Sequence, residues 1–229
     1  MRFLAVFALV VMAACDVATV PTAGAPPGPE VTRVQGGSAS FRAVVDRVIP
    51  VAEQECRART RNRPCTFTVV VDERPNVPPN AFQTLDRRGR PVIGFTQALI
   101  EDARNPDEIA FVLGHEAAHH IEGHIPETQQ RAVEGAIVGT VLAATLGLDA
   151  AGTEAAQRVG GSIGARRYAK EFELEADALG TVIAARAGFD PLRGAAFFNR
   201  IPDPGDQFLG THPPNAERIA TVRRVAAGL

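Results

Sequence analysis

The folded region is predicted to start near Ser38, because the residues that follow place apolar side chains at helical spacing. These side chains are Phe41, Val44, Val45, Val48 and Ala52. Pro50 lies inside the pattern and is expected to bend the helix or to end its first segment. The folded region therefore opens with an amphipathic helix.

Two short apolar runs follow, at residues 66–71 (TFTVVV) and 91–95 (PVIGF). A turn-like stretch at residues 86–89 precedes the second run, so both are predicted to be strands of a small antiparallel sheet. After Thr96 the pattern is helical, without the alternation of strands and helices that a doubly wound sheet requires. The sequence thus predicts an α+β fold that is mainly helical, with a small sheet early in the chain.

The helix predicted from Pro106 has the clearest start signals. Asn105 is placed to cap it, Pro106 suits its first position, and Glu108 puts negative charge in its first turn. Gly123 and Pro126 are expected to end this helix.

Farther along the chain, small residues recur every four positions, at Gly135, Gly139, Ala143 and Gly147. The same spacing separates Gly160 and Gly164. Such a stripe lets another helix approach closely. The charge-free stretch at residues 135–148 is shorter than the roughly 20 residues that span a bilayer. Tight packing is favoured over a mobile or membrane-touching hairpin.

The N-terminal segment has the pattern of a targeting sequence. Arg2 precedes an apolar run at residues 3–14 that is too short to span a bilayer, which is typical of a secretory signal peptide. Cys15 follows this run in a context that resembles the bacterial lipobox, although Met12 stands where Leu is usual. The alternative is ordinary cleavage just before Cys15, which would leave a free thiol.

Three regions are expected: a signal peptide at residues 1–14, a flexible tether at residues 15–37 that is rich in Pro, Gly and Ala, and a domain at residues 38–229. Lipid on Cys15 would anchor the domain to a bacterial envelope membrane, facing the periplasm. Without the lipid, the protein would be free in the periplasm or secreted.

Composition narrows the function classes. The 229 residues are 45% hydrophobic and 22% charged, which is an ordinary globular balance that excludes a disordered or fibrous chain. The formal net charge of -2 gives no general attraction to nucleic acid, so no nucleic-acid partner is expected.

Cys56 and Cys65 remain after Cys15 is assigned to lipid, and in an oxidising periplasm they are expected to form a disulfide. The loop between them contains four arginines, at positions 57, 59, 61 and 63. A solvated loop is favoured there over an anion-binding site.

The strongest chemical motif is His-Glu-Ala-Ala-His at residues 115–119. Its four-residue offset turns His119 only about 40 degrees from His115 on a helix, so both imidazoles reach one metal ion. Two imidazoles and a carboxylate hold zinc with an open position, where zinc lowers the pKa of a bound water. Glu116 lies beside them and is expected to take the proton of that water and deliver it to the leaving amine.

The motif leaves the third ligand open. His120 and His124 point about 140 and about 180 degrees from His115 on a continuous helix, so both are expected to be surface or helix-end residues. The remaining candidates are carboxylates on a later helix: Glu171, Glu173, Glu175 and Asp177. Helical spacing pairs Glu173 with Asp177 and Glu171 with Glu175, and periodicity does not choose between the pairs.

The segment at residues 173–177 (ELEAD) resembles the E-x-x-A-D signature of the HtpX-like zinc metallopeptidases. This gluzincin family includes the CAAX prenyl endopeptidases and a BepA-like periplasmic branch. The resemblance extends over most of the chain through further motifs at residues 80–82, 113–116, 188–191 and 211–214 and at Arg218-Ile219. It implies a zincin-type domain, with Glu173 as the third zinc ligand and Asp177 as the residue that orients a ligand histidine.

The resemblance also implies that His212 and Arg218 lie at the C-terminal side of the active-site cleft. Arg218 would stabilise the oxyanion or bind the substrate backbone. His212 would do the same or occupy the open zinc position in a resting state. A turn-capping role before two prolines is an equal alternative for His212.

Together these observations predict a zinc-dependent endopeptidase with one zinc ion per chain. The family resemblance implies that its substrates are misfolded envelope polypeptides, as for a quality-control protease. The alternative is a zinc-containing chaperone-like or assembly factor whose site is closed and weakly active. An intact Glu116 favours the enzyme, because binding alone would not require a general base.

Overall fold

The computed structural model describes residues 39–207, 209–210 and 212–229. The α-helices within these residues are α1 (Ala39–Arg59), α2 (Gln97–Asp102), α3 (Pro106–Glu122), α4 (His124–Thr145), α5 (Ala150–Arg166), α6 (Ala169–Arg186), α7 (Pro191–Ala195) and α8 (Asn215–Ala226). The strands are β1 (Thr68–Asp72), β2 (Ala81–Leu85) and β3 (Pro91–Thr96). The predicted signal peptide, Cys15 and the whole of the predicted tether lie outside the described residues.

The mainly helical α+β prediction is confirmed, but the prediction of a wholly antiparallel sheet is wrong. The strand order is β1-β3-β2. The strands β1 and β3 pair in parallel, with Thr68 opposite Val92, and β2 pairs with β3 antiparallel, with Ala81 opposite Phe95. The sequence pattern does not predict β2. This strand forms a hairpin with β3, and β1 pairs with the other edge of β3.

The core lies between the sheet and the helices α1, α3 and α6. The predicted apolar face of α1 is buried through Phe41, Val44, Val48 and Ala52. Pro50 lies within α1, which continues to Arg59, so it does not end the helix. Burial of this face stabilises the helix by tertiary packing, which acts against the cost of an internal proline.

A disulfide between Cys56 and Cys65, whose Cα atoms are 5.6 Å apart, links the end of α1 to the approach to β1. Three of these four arginines, Arg57, Arg59 and Arg63, contact other groups of the protein. Arg57 pairs with Glu53, and Arg63 donates a hydrogen bond of 2.8 Å to the carbonyl of Ile121. These contacts give Arg63 the role of capping the end of α3 and do not favour an anion site.

The helix α3 begins and ends where the sequence predicts. Asn105 accepts hydrogen bonds from the backbone N–H groups of Asp107 and Glu108. Gly123 ends the helix in the left-handed region with φ 87°. Pro126 does not end it, because it lies in the first turn of α4.

Two glycines bring α3 against α6. A Cβ on Gly114 would lie 2.9 Å from the carbonyl oxygen of Gly180, and a Cβ on Gly180 would lie 2.8 Å from the backbone nitrogen of His115. Real side chains do not tolerate such distances to backbone atoms. The two glycines therefore fix the spacing of the helices that carry the candidate metal ligands.

The helices α4 and α5 form a hairpin that also packs through glycines. A Cβ on Gly160 would meet the carbonyl oxygen of Gly135, and one on Gly139 would meet that of Ala156. The predicted close packing is present, while apolar side chains such as Ile137 remain exposed on the outer surface. Within the described part of the chain, no helix combines the length and the apolar character that crossing a membrane requires.

Candidate metal centre

The ring nitrogens of His115 and His119 meet on the inner face of α3. Their Nε2 atoms are 3.0 Å apart, as the four-residue offset predicts. Both side chains are largely buried, with exposed fractions of 10% and 17%. The two imidazoles therefore face a common point.

The carboxylate of Glu173 approaches the same point from α6. Its Oε1 lies 3.3 Å from Nε2 of His119, and its Oε2 lies 3.6 Å from Nε2 of His115. Among the four carboxylates that the helical spacing left open, Glu173 is the one that joins the two histidines. Its position is the one that the family resemblance implied.

Asp177 lies one turn farther along α6 and is completely buried behind His115. Its Oδ1 is 2.9 Å from Nδ1 of His115. Burial opposes ionisation of Asp177, but hydrogen bonds from Arg218 and His115 outweigh burial and hold the pKa of Asp177 below its ordinary value. Asp177 is thus placed to accept the Nδ1–H of His115, as expected for a residue that orients a ligand.

Arg218 of α8 completes this side of the centre. It donates two hydrogen bonds of 2.7 Å to the two oxygens of Asp177, and its Nη2 lies 3.3 Å from Oε2 of Glu173. The guanidinium is buried and lies 4.1 Å over the ring of Phe198. Because these contacts engage it with the two carboxylates, the geometry favours an anchoring role over the predicted oxyanion role.

His212 lies on the open side of the centre. Its Nδ1 is 3.1 Å from Oε2 of Glu173, and its side chain is 54% exposed. This contact favours a role at the metal centre over turn capping, although the neighbouring Thr211 lies outside the described residues. The hydrogen bonds from His119 and His212 overcome the burial of Glu173 and hold its pKa well below the ordinary value.

Glu116 also faces the cavity that contains these residues and is 9% exposed. Within the described residues, no hydrogen bond or ion pair holds its carboxylate. The cavity has a volume of about 810 Å³. It is bounded by β2, α3, the N-terminal end of α4, the C-terminal end of α5 and the segment after α7. Glu116 is therefore a buried carboxylate available to a molecule that enters the cavity.

His124 lies on the other side of the centre, although the sequence pattern places it away from the ligand face. Nδ1 of His124 lies 2.8 Å from Nδ1 of His119, and Nε2 of His124 lies 3.1 Å from Oε2 of Glu175. His124 lies at a helix end, which is one of the two expected positions, but it is buried and faces His119. The continuous helical angle does not apply to it because Gly123 breaks the helix. The signal available in the sequence is Gly123, a glycine predicted to end the helix, directly before a histidine.

Burial lowers the pKa of His124 to about 3, so its imidazole is neutral near pH 7. His120 lies in the last turn of α3, which is one of the two expected positions, but it is buried and not on the surface. Its Nε2 lies 2.7 Å from the carbonyl oxygen of Pro64, away from the metal centre.

The donor set fits a zinc ion. Both Nε2 atoms and the Glu173 carboxylate lie within 4.8 Å of one another, and the Nδ1 atoms of both histidines already contact other side chains. The free lone pairs are thus directed at one position. Two imidazoles and one carboxylate are a set that open catalytic zinc sites use.

Comparison with known proteins agrees with this site. The sequence model of peptidase family M48 matches residues 39–226. The chain is 29% identical over 163 residues to the mitochondrial metalloendopeptidase OMA1 of Saccharomyces cerevisiae, which covers 66% of this chain and 44% of the relative. It is 28% identical over 142 residues to the beta-barrel assembly-enhancing protease of Escherichia coli, which covers 56% of this chain and 29% of the relative.

The chain therefore spans less than half the length of these curated relatives. The family match, in contrast, extends from α1 to the end of α8 and includes every candidate ligand. On this match, the chain belongs to peptidase family M48.

Proposed function

We propose that the protein is a zinc-dependent endopeptidase. The observation that carries this proposal is the convergence of His115, His119 and Glu173 beside the unpaired carboxylate of Glu116 in one open cavity. The metalloendopeptidase names of the relatives support the same reaction class.

His115, His119 and Glu173 would hold the zinc ion. When bound, zinc supplies Lewis acidity that polarises the scissile carbonyl and lowers the pKa of a water molecule. Glu116 accepts a proton from the attacking water and donates it to the leaving amine nitrogen. Asp177 keeps the Nδ1 proton on His115, which leaves the Nε2 lone pair for the metal.

We assign His212 to the substrate side of the centre. As an exposed imidazole beside Glu173, it can donate a hydrogen bond to the developing oxyanion. Its contact with Glu173 also favours the second candidate function, a chaperone-like or assembly factor whose centre is closed by His212. Arg218 contributes by holding Asp177 and Glu173 in place.

We further propose that the substrates are misfolded envelope polypeptides in the periplasm and that lipid on Cys15 anchors the protein to a membrane. Support comes from the targeting pattern before Cys15 and from the name of a relative, the beta-barrel assembly-enhancing protease. The pair Cys56 and Cys65 is consistent with an oxidising compartment.

Cleavage of an unfolded protein such as casein tests this function. Activity should be lost on removal of metal by a chelator and should return with one equivalent of zinc per chain. Glu173→Gln should lose both zinc and cleavage. Glu171→Gln, which changes an exposed carboxylate on the same helix, should keep both.

Two results would contradict the peptidase proposal. Cleavage that persists after metal removal would exclude the zinc centre as the active site. A zinc-loaded protein that binds casein without cutting it would favour the chaperone-like function instead.

A further inference from the structure

We propose that His124 is a positioning residue for the metal centre, which fixes the imidazole of His119 through a hydrogen-bond chain that ends at Glu175. This inference rests on the proposed zinc site. It concerns how the second histidine is oriented, and it does not depend on which substrate is cleaved.

The direction of the chain follows from the ring nitrogens. Nε2 of His119 faces Nε2 of His115 and the carboxylate of Glu173, so a zinc ion held there would take its lone pair. A neutral His119 must then carry its proton on Nδ1, which lies 2.8 Å from Nδ1 of His124. Nδ1 of His124 therefore accepts this hydrogen bond.

The proton of His124 must consequently lie on Nε2. That nitrogen is 3.1 Å from Oε2 of Glu175, a distance at which it donates to the carboxylate. Glu175 thus fixes the tautomer of His124, and His124 in turn fixes the tautomer of His119. Each donor in the chain has one acceptor, so the arrangement has a single direction.

His124 is also held in a fixed orientation. It is 4% exposed, and its ring stacks on Phe172 with centroids 4.4 Å apart and an angle of 13° between the planes. Phe172 directly precedes Glu173 on α6. The stack therefore ties the start of α4 to the segment that supplies the third ligand.

The position of His124 depends on the break at Gly123. On an uninterrupted helix the residue five places after His119 would point about 140 degrees away from it. The left-handed conformation of Gly123 ends α3 and starts α4, which turns His124 back toward His119. The helix break is thus part of how the metal centre is built.

Two substitutions at this position separate the hydrogen bond from packing. His124→Phe keeps an aromatic ring against Phe172 but removes the acceptor. His124→Asn keeps an oxygen near the position of Nδ1 but loses the contact with Glu175. The matched control is His120→Gln, which changes a buried histidine of the preceding turn that contacts only the Pro64 carbonyl through its ring nitrogen.

Zinc affinity, measured by competition with a chromophoric chelator, is the first readout. We expect His124→Phe to bind zinc about 10–100-fold more weakly than the wild type, because loss of such an outer hydrogen bond has effects of this size. His124→Asn should recover most of the affinity, and His120→Gln should match the wild type. Equal affinity in His124→Phe and His120→Gln would overturn the proposal.

Nitrogen NMR of the histidine rings in the zinc-loaded protein is the second readout. In the wild type, His119 should carry its proton on Nδ1, and His124 should carry its proton on Nε2 and leave Nδ1 unprotonated. A proton on Nδ1 of His124 would overturn the proposal. Because neither readout needs cleavage, failure of the proposed peptidase activity leaves a distinct result.

Discussion

The two histidines of the metal centre are supported from behind by different chemistry. Behind His115 lies a buried ion pair, in which Asp177 receives two hydrogen bonds from Arg218. Behind His119 lies a neutral imidazole, and the chain ends at Glu175, whose side chain is 59% exposed. Each ligand histidine needs one hydrogen-bond acceptor that fixes its orientation. The surroundings of that acceptor determine how much folding stability and zinc affinity the protein loses when the acceptor is removed.

The largest effect is expected from Asp177→Ala, which breaks the buried side. Arg218 would keep its charge in a buried position without its main partner, a change that destabilises by about 3–5 kcal/mol. Zinc affinity should fall together with the free energy of unfolding, which urea denaturation of the metal-free protein would measure. The double variant Asp177→Ala/Arg218→Met should regain part of that stability; equal stability of single and double variants would refute the ion-pair account.

A smaller effect is expected from Gly180→Ala, which changes the spacing of α3 and α6 without removing any ligand. The added methyl group would press on the backbone of His115, and overpacking of this kind costs about 1–3 kcal/mol. Because the His115 side depends on contacts across this helix pair, zinc affinity should fall as well. Thermal unfolding and zinc competition would check both effects, and unchanged affinity would show that the spacing is not critical.

Glu175→Gln should have a weaker effect, because it changes the solvent-exposed end of the His119 side. An exposed contact of this type contributes less than about 1 kcal/mol. The amide oxygen of Gln can still accept from His124, so zinc affinity should fall less than in Asp177→Asn. If the same zinc competition showed a larger loss of affinity in Glu175→Gln than in Asp177→Asn, the His119 side would be the more sensitive of the two.

The smallest effect on zinc affinity is expected from Gly160→Ala in the α4–α5 hairpin. The methyl group would meet the carbonyl oxygen of Gly135 and should lower the unfolding temperature. Gly135 lies eleven residues, or about 16 Å along α4, from His124. A fall in zinc affinity would show that the hairpin and the metal centre are coupled.

The same comparison shows how far the sequence could predict the site. The offset between His115 and His119 is set by local helix geometry, so these residues were predictable from the chain alone. Selection of Glu173 required the family resemblance, because the rotation of α6 against α3 depends on the contact between Gly114 and Gly180. Helical periodicity carries no information about that rotation.

His124 was missed for a physical reason. The angle of a continuous helix places His124 away from His119, but the helix ends at Gly123, so that angle does not apply. The direction of β1 was missed in a similar way. The intervening β2 (AFQTL) is partly exposed on both faces, which leaves no clear alternation, so the sequence pattern predicts a direct antiparallel pairing of β1 with β3.

The central claim is that Glu116 acts as the general base beside a zinc ion that other residues hold. The most direct test is the rate of casein cleavage by Glu116→Gln compared with the wild type at equal measured zinc content. We expect the variant to keep one zinc ion per chain and to lose cleavage by at least about 100-fold, the usual contribution of a general base. Cleavage at the wild-type rate with zinc retained would contradict it.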